Sequence, residues 1–138
     1  MVTTVMFEWS DDYSMKIDSI DSQHKKLVDM LNDLYAGMMT NASREAASET
    51  LRGLTDYTLT HFAFEENLFR EYGYEHAAAH QKEHRALIQA VVEFKGKFDA
   101  GEASINMELM NFLKDWLIKH ILGSDKRYSK YLRERGVK

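Results

Sequence analysis

The amino-acid sequence predicts an all-α protein with an up-down-up-down four-helix bundle. Its 138 residues include no proline, so nothing in the chain forces a long helix to end early. Apolar residues recur at spacings of three and four along four stretches, which is the period of one helical face. Short turn-like segments separate these stretches, and amphipathic helices joined by short turns pack most simply as a bundle. We therefore expect a single domain over residues 1–138.

The first half of the chain predicts an arm and two helices. Residues 1–17 lack a helical period and are expected to form an irregular N-terminal arm. The first helix is predicted over about 19–39, and the polar segment 40–43 that follows ends in a serine suited to cap the next helix. The second helix is predicted over about 44–72. Gly73 comes directly after it, as expected for a left-handed helix end.

The second half of the chain predicts two more helices and a helical C-terminal extension. The third helix is expected over about 75–98, and a turn follows it at 99–102. The fourth is expected over about 104–133. Gly123 interrupts its apolar pattern, so we expect a break near this position, with helix continuing afterwards to about Arg133.

Composition excludes several classes of function. The net charge is −4 and there is no basic patch with interleaved aromatic residues, so we expect no nucleic-acid partner. Cysteine is absent, which excludes disulfides, thiolate metal sites and a cysteine nucleophile. Neither a signal peptide nor an apolar run of membrane-spanning length is evident, so we expect a cytoplasmic protein without a membrane span.

Most of the histidines lie on the predicted core-facing helix stripes. Five of the six do so, and they come from four different helices: His24, His61, His80, His84 and His120. Glu65 shares a face with His61, because residues four apart lie one turn above each other. A lone histidine on an apolar face is usually a hydrogen-bonded core residue, and a buried carboxylate is costly without a cation. So many histidines together with a carboxylate therefore predict a metal centre at one end of the bundle.

Asp125 is a further candidate ligand whose placement the spacing leaves open. It lies five residues beyond His120, an offset that rotates a side chain off the face of a regular helix. Asp125 is then either a surface residue beyond Gly123 or, through a wide turn of the π type, a residue of the same face.

The types of ligand narrow the choice of metal. Imidazole and carboxylate together suit iron, zinc, copper or nickel, and the lack of thiolate disfavours a structural zinc site. Five histidines exceed what one catalytic metal uses, so we expect two metals. If both carboxylates and one oxygen atom bridge a pair of six-coordinate ions, a single position is left open for a small ligand.

Four motifs in the chain resemble those of the hemerythrin family. They are Ile20-Asp21-Ser22-Gln23-His24, His61-xxx-Glu65, His80-xxx-His84, and the run from Trp116 to Tyr128 that contains His120 and Asp125. The resemblance spans roughly residues 5–132, and all seven ligand positions match in type and order. One departure is Glu75, where the family often has a proline after the preceding Gly-Tyr.

The resemblance implies two non-haem iron ions and assigns each ligand a role. The implied ligands are five imidazoles and two carboxylates: His24, His61, His80, His84, His120, Glu65 and Asp125. The three histidines of the third and fourth helices would hold one iron, and those of the first and second would hold the other. Both carboxylates and an oxo or hydroxo group would bridge the pair. Dioxygen would bind at the second iron, which keeps an open position.

Four apolar residues close to the ligands are candidates for the wall of an oxygen pocket: Leu27, Phe62, Leu117 and Ile121. Each lies one or three positions from a histidine ligand, so each can face the bound oxygen and keep water away. Ordinary core packing explains the same residues. The sixth histidine, His76, is expected outside the ligand set, as a surface residue or a group behind the ligands.

The function implied by this resemblance is reversible dioxygen binding by a carrier, store or delivery protein, and we expect a monomer that is not an enzyme. Its expected partners are dioxygen and an oxygen-consuming recipient protein. A di-iron oxidase or peroxidase is one alternative, although ferritin-like di-iron enzymes use Glu-x-x-His pairs and more carboxylates. A sensor of oxygen, nitric oxide or iron is another, and it would act through a partner protein because we expect no attached output domain.

Overall fold

The computed structural model describes residues 6–138, so the first five residues of the arm lie outside the described range. Within residues 6–138 the regular elements are all helical: α1 Asp18–Met39, α2 Arg44–Tyr72, α3 Ala77–Asp99, α4 Met107–His120 and α5 Lys126–Arg133, with a short 3-10 turn at Asp11–Tyr13 and a π-helical segment at Ile121–Asp125. Helices α1 to α4 form the four-helix bundle that the sequence predicts.

Local sequence explains where several of these helices begin and end. The Ser43 hydroxyl accepts a hydrogen bond from the amide of Ala46 and caps the start of α2. Gly73 ends the same helix with a φ of 64°, in the left-handed region that favours glycine. At the start of α4, the Asn106 side chain accepts from the amide of Leu109.

Two predicted helix starts are a little early, for local reasons. The third helix begins at Ala77 rather than near 75, because the chain first closes a turn in which the amide of the buried Tyr74 donates to the carbonyl of Phe69. The fourth begins at Met107 rather than near 104, because Asn106 supplies its cap. The interruption expected near Gly123 takes the form of the π-helical segment Ile121–Asp125, which separates α4 from α5 without ending the helical course of the chain.

The described part of the N-terminal arm, residues 6–17, packs against the bundle. Asn32 holds its start, because its side-chain oxygen accepts from the amides of Met6 and Phe7 and its side-chain nitrogen donates to the Phe7 carbonyl. Phe7 is 2% exposed, and Met15 further along is fully buried.

Buried apolar residues form two clusters at different heights in the bundle. The long apolar cluster comprises Phe7, Leu27, Val28, Leu31, Leu34, Leu51, Leu54, Phe62, Leu87, Met110 and Leu113. The terminal apolar cluster comprises Met15, Ile17, Ile20, Phe69, Tyr74, Ile121, Tyr128 and Leu132. In the described range, no helix has both the length and the apolar character needed to cross a membrane.

Candidate metal centre

A cluster of polar side chains is buried between the two apolar clusters. It contains all seven of the predicted ligands, each at most 4% exposed: His24, His61, Glu65, His80, His84, His120 and Asp125. We call these residues the polar cluster. Helices α1, α2, α3 and α4 and the π-helical segment each contribute to it, so residues far apart in sequence meet at one height of the bundle.

The π-helical segment brings Asp125 into the polar cluster. A regular helix would rotate a side chain five residues after His120 off the inward face, but the wider turn over Ile121–Asp125 returns it to that face. Asp125 is fully buried as a result. Of the two placements that the sequence leaves open, the structure adopts the inward one.

Asp125 lies between histidines from three different helices. Its Oδ2 is 3.1 Å from Nε2 of His24. Its Oδ1 is 3.1 Å from Nε2 of His80 and 3.1 Å from Nε2 of His120. One carboxylate oxygen therefore faces His24 on α1, and the other faces His80 on α3 and His120 on α4.

Glu65 has a similar central position. Its Oε1 is 3.2 Å from Nε2 of His84 and 3.4 Å from Nε2 of His61. Its Oε2 is 3.9 Å from Nε2 of His24 and accepts a hydrogen bond from the hydroxyl of the fully buried Tyr128. That hydrogen bond fixes the carboxylate from the side away from His61 and His84.

Several atoms of the polar cluster are buried without a hydrogen-bond partner. Among residues 6–138, six buried side-chain nitrogens and oxygens lack one, and all belong to His24, Glu65, His80 and Asp125. The short contacts between these side chains do not have the directions that hydrogen bonds require. Unpaired buried polar atoms are costly, so their convergence indicates that a cation belongs between them.

The spacing of the ligand atoms fits metal ions. The side chains form two groups, and within each group the possible ligand atoms all lie within 4.8 Å of one another. One group is Glu65 with His80, His84 and His120, and the other is Glu65 with His24 and His61. Bonds of about 2.1 Å at right angles would place ligand atoms about 3 Å apart, close to the observed nitrogen–oxygen distances. The polar cluster therefore fits two ions that share Glu65.

The protonation state of each side chain in the polar cluster depends on the charges of its neighbours. Burial opposes ionisation of Asp125, but His120, His24 and His80 outweigh burial and hold its pKa well below the usual value. Burial also opposes protonation of His120, yet the carboxylates around it raise its pKa to about 9. Burial lowers the pKa of His61 to about 4. The carboxylates thus stay ionised and need positive charge, which bound cations would supply in place of protons.

Outer hydrogen bonds orient two of the histidines on α3 and α4. Nδ1 of His84 donates to Oε2 of Glu66 at 2.9 Å. Nδ1 of His120 lies 3.2 Å from Oε1 of Glu83, which also accepts from the hydroxyl of Ser124. Because a carboxylate only accepts, each Nδ1 carries a proton, and Nε2 is the nitrogen left to bind a cation in the polar cluster.

Sequence reasoning gave these outer partners no role. Glu66 and Glu83 each lie next to a predicted ligand, but adjacent helical residues point in different directions. Gln23, whose side-chain oxygen is 2.6 Å from Nδ1 of His61, likewise directly precedes His24. The sequence does show that each of these three polar residues is adjacent to a predicted ligand. Adjacency alone does not predict that each side chain contacts a histidine on a different helix.

An apolar cavity of about 50 Å³ is separated from the polar cluster by wall residues such as Phe62, whose ring stacks on that of His84. Three of the four residues predicted for an oxygen pocket line it, namely Leu27, Phe62 and Leu117. The fourth, Ile121, is fully buried but belongs to the terminal apolar cluster and does not line the cavity. Trp116 also lines the cavity and stacks on the ring of His120, with the ring centroids 4.4 Å apart.

His76 lies outside the polar cluster. Its side chain is 51% exposed, and its Nε2 is 3.6 Å from the carboxylate of Glu75. His80, four residues later, is 3% exposed and points into the cluster.

Comparison with known proteins gives a consistent result. Residues 15–132 match the family described as the Hemerythrin HHE cation binding domain. A bacteriohemerythrin of Stenotrophomonas maltophilia is 43% identical over 121 residues, which are 88% of this chain and 78% of that protein. A bacteriohemerythrin of Methylococcus capsulatus is 36% identical over 85% of this chain and 88% of that protein.

A solved structure shares both the fold and much of the sequence. The crystal structure of a wild-type hemerythrin superposes with a TM-score of 0.87 and 33% identity, covering 91% of this chain and 97% of that chain. The matched region includes every residue of the polar cluster. The chain therefore belongs to the hemerythrin family.

Proposed function

We propose that this protein binds dioxygen reversibly at a centre of two non-haem iron ions. The observation that supports this most strongly is the set of six buried, unpaired polar atoms in the polar cluster, because two cations would satisfy all of them except the outer nitrogen, Nδ1, of His24. Nitrogen and oxygen donors without thiolate suit iron, and membership of the hemerythrin family favours iron over other metals.

Each ligand has a proposed role that follows from its position. His80, His84 and His120 hold one iron, while His24 and His61 hold the other. Glu65 and Asp125 would serve both ions, because each carboxylate lies between both groups of histidines. The ion held by two histidines has fewer protein ligands and is where dioxygen would bind. The iron pair supplies the electrons for this binding.

The surrounding residues have two proposed roles: apolar side chains exclude water from the oxygen site, and Tyr128 positions the carboxylate of Glu65. Leu27, Phe62 and Leu117 line the apolar cavity beside the polar cluster, and apolar walls of this kind exclude water and protons. Tyr128 holds Glu65 through its hydroxyl. Ile121 is buried in the terminal apolar cluster, and its contact with bound oxygen stays a prediction.

We further propose that dioxygen is released unchanged, so that the protein is a carrier, store or delivery protein. The five histidines of the polar cluster outnumber its two carboxylates, unlike the ligand sets of ferritin-like di-iron enzymes. A sensor that acts through a partner protein would use the same binding step.

Stopped-flow mixing of the reduced, iron-loaded protein with dioxygen tests this proposal. We expect rapid formation of an oxygen-dependent charge-transfer absorption band that disappears when oxygen is removed, over repeated cycles. Consumption of dioxygen with irreversible oxidation of the iron on each cycle would instead favour an oxidase.

A further inference from the structure

The histidines of the polar cluster differ in what their outer nitrogens contact. On the side of α3 and α4, two are backed by carboxylates: Nδ1 of His84 by Glu66 at 2.9 Å and Nδ1 of His120 by Glu83 at 3.2 Å. These two histidines belong to the group that also contains His80.

The histidines on the side of α1 and α2 have no such backing. Nδ1 of His61 is 2.6 Å from the neutral amide oxygen of Gln23. Nδ1 of His24 is buried and has no hydrogen-bond partner within residues 6–138. The two groups therefore differ by two negative charges in the layer behind the ligands.

We propose that the two metal positions have unequal affinities, so that the position of His80, His84 and His120 fills first and the position of His24 and His61 fills second. This inference rests on the proposed two-metal centre and adds an order of loading to it. Glu65 and Asp125 are shared by both positions, so the difference arises in the residues that are not shared.

The physical cause is the effect of an outer carboxylate on an imidazole ligand. A carboxylate that accepts the Nδ1 proton fixes the tautomer and makes Nε2 a better donor to a metal, and loss of such a partner lowers metal affinity about 10–100-fold. The side chains of Glu66 and Glu83 are 25% and 45% exposed, so water screens part of their charge. The contribution of the third histidine adds to theirs.

Unequal loading has a consequence for oxygen binding. When iron is scarce, chains hold one ion in the position with three histidines and leave the other position empty. The empty position is the one proposed to bind dioxygen. The capacity for oxygen then follows the filling of the weaker position, so it depends on the supply of iron more steeply than total bound iron does.

Anaerobic titration of the metal-free protein with Co²⁺ tests the order of loading without any oxygen reaction. Calorimetry counts the ions and resolves the two steps, and the absorption spectrum of the bound Co²⁺ reports the ligands in each step. We expect two separate steps of one ion each.

Three variants assign the steps to the two sides of the polar cluster. Combining Glu66→Gln with Glu83→Gln should weaken the first step at least about tenfold and leave the second little changed. Gln23→Glu should strengthen the second step, because it places a carboxylate behind His61. The matched control is Glu93→Gln on the exposed side of α3, which should change neither step. Far-UV circular dichroism confirms that each variant is folded.

The outcomes separate this inference from the proposed function. Two Co²⁺ ions bound with equal affinity, or a first step that the Glu66 and Glu83 variants leave unchanged, would overturn the order of loading while the two-metal centre stands. A chain that binds only one Co²⁺ would overturn both.

Discussion

The polar cluster and the long apolar cluster are neighbouring parts of one bundle, but they are stabilised in different ways. The long apolar cluster consists of side chains such as Leu31 and Leu34, 3% and 2% exposed, which gain stability simply by leaving water. The polar cluster is equally buried, yet four of its residues carry polar atoms with no hydrogen-bond partner in the described range. One part of the core is thus complete as the chain folds, while the other has buried polar atoms that cations could satisfy.

The largest expected effect comes from removing a ligand of the polar cluster. His80→Ala should cost the chain at least one of the two proposed iron ions, because Nε2 of His80 faces Asp125 and has no hydrogen-bond partner within residues 6–138. His76→Ala is the matched control, since it removes an exposed histidine four residues earlier and should leave both ions bound. Elemental analysis of purified protein measures the difference. Equal iron content in the two variants would show that our division of the histidines is wrong.

Removing the metal should affect the two clusters unequally. Metal that binds only the folded chain stabilises it by about 4 kcal/mol when free metal is a thousand times the dissociation constant. After chelation, amide hydrogen exchange should therefore accelerate most in Ile121–Asp125, where the chain depends on the ligands, and least at Val28–Leu34 in α1. A uniform increase along both segments would contradict this distinction.

A cavity made in the long apolar cluster should lower the stability of the fold and leave the iron content unchanged. Leu34→Ala removes a side chain that is 2% exposed, and it should lower the free energy of unfolding by about 2–5 kcal/mol. Because Leu34 is remote in sequence from every ligand, iron content should stay at two ions per chain. Denaturant titration measures the first quantity and elemental analysis the second. Loss of iron at temperatures where the variant is fully folded would show that the two clusters are not independent.

The smallest effect is expected at Gly123, and it shows what creates the π-helical segment. A Cβ atom added there would have no neighbour within 4 Å, and the backbone is not in the left-handed region. Gly123→Ala should therefore raise the free energy of unfolding by about 0.5–1 kcal/mol and leave both ions in place. Loss of iron in this variant would mean that the π-helical segment depends on the glycine at position 123 and not on the burial of Asp125 in the polar cluster.

The long apolar cluster and the polar cluster also differ in how much of their structure can be predicted from the sequence. Periodic residues such as Leu27, Leu31 and Leu34 predict the helices, because burial selects apolar side chains at a fixed spacing. His61 with Glu65, and His80 with His84, are recognisable for the same reason, since ligands on a regular helix also keep its period. The fold was thus predictable from the sequence, and these ligand pairs could be placed on inward faces.

Other features of the polar cluster depend on geometry that spacing does not encode. Asp125 has the wrong offset for a regular helix, and it reaches the polar cluster only because the chain adopts the π-helical segment, which the residue spacing left as one of two alternatives. Glu66 and Glu83 are ordinary surface residues by sequence, and they contact ligands only because α2, α3 and α4 lie at particular distances and rotations. Interactions between helices of this kind become visible only in three dimensions.

Anomalous X-ray diffraction at the iron edge, from crystals of the iron-loaded protein, tests most directly whether the polar cluster is a two-metal centre. We predict two peaks per chain, one beside His80, His84 and His120 and the other beside His24 and His61, with Glu65 and Asp125 between them. A single peak, or peaks away from these residues, would contradict the account.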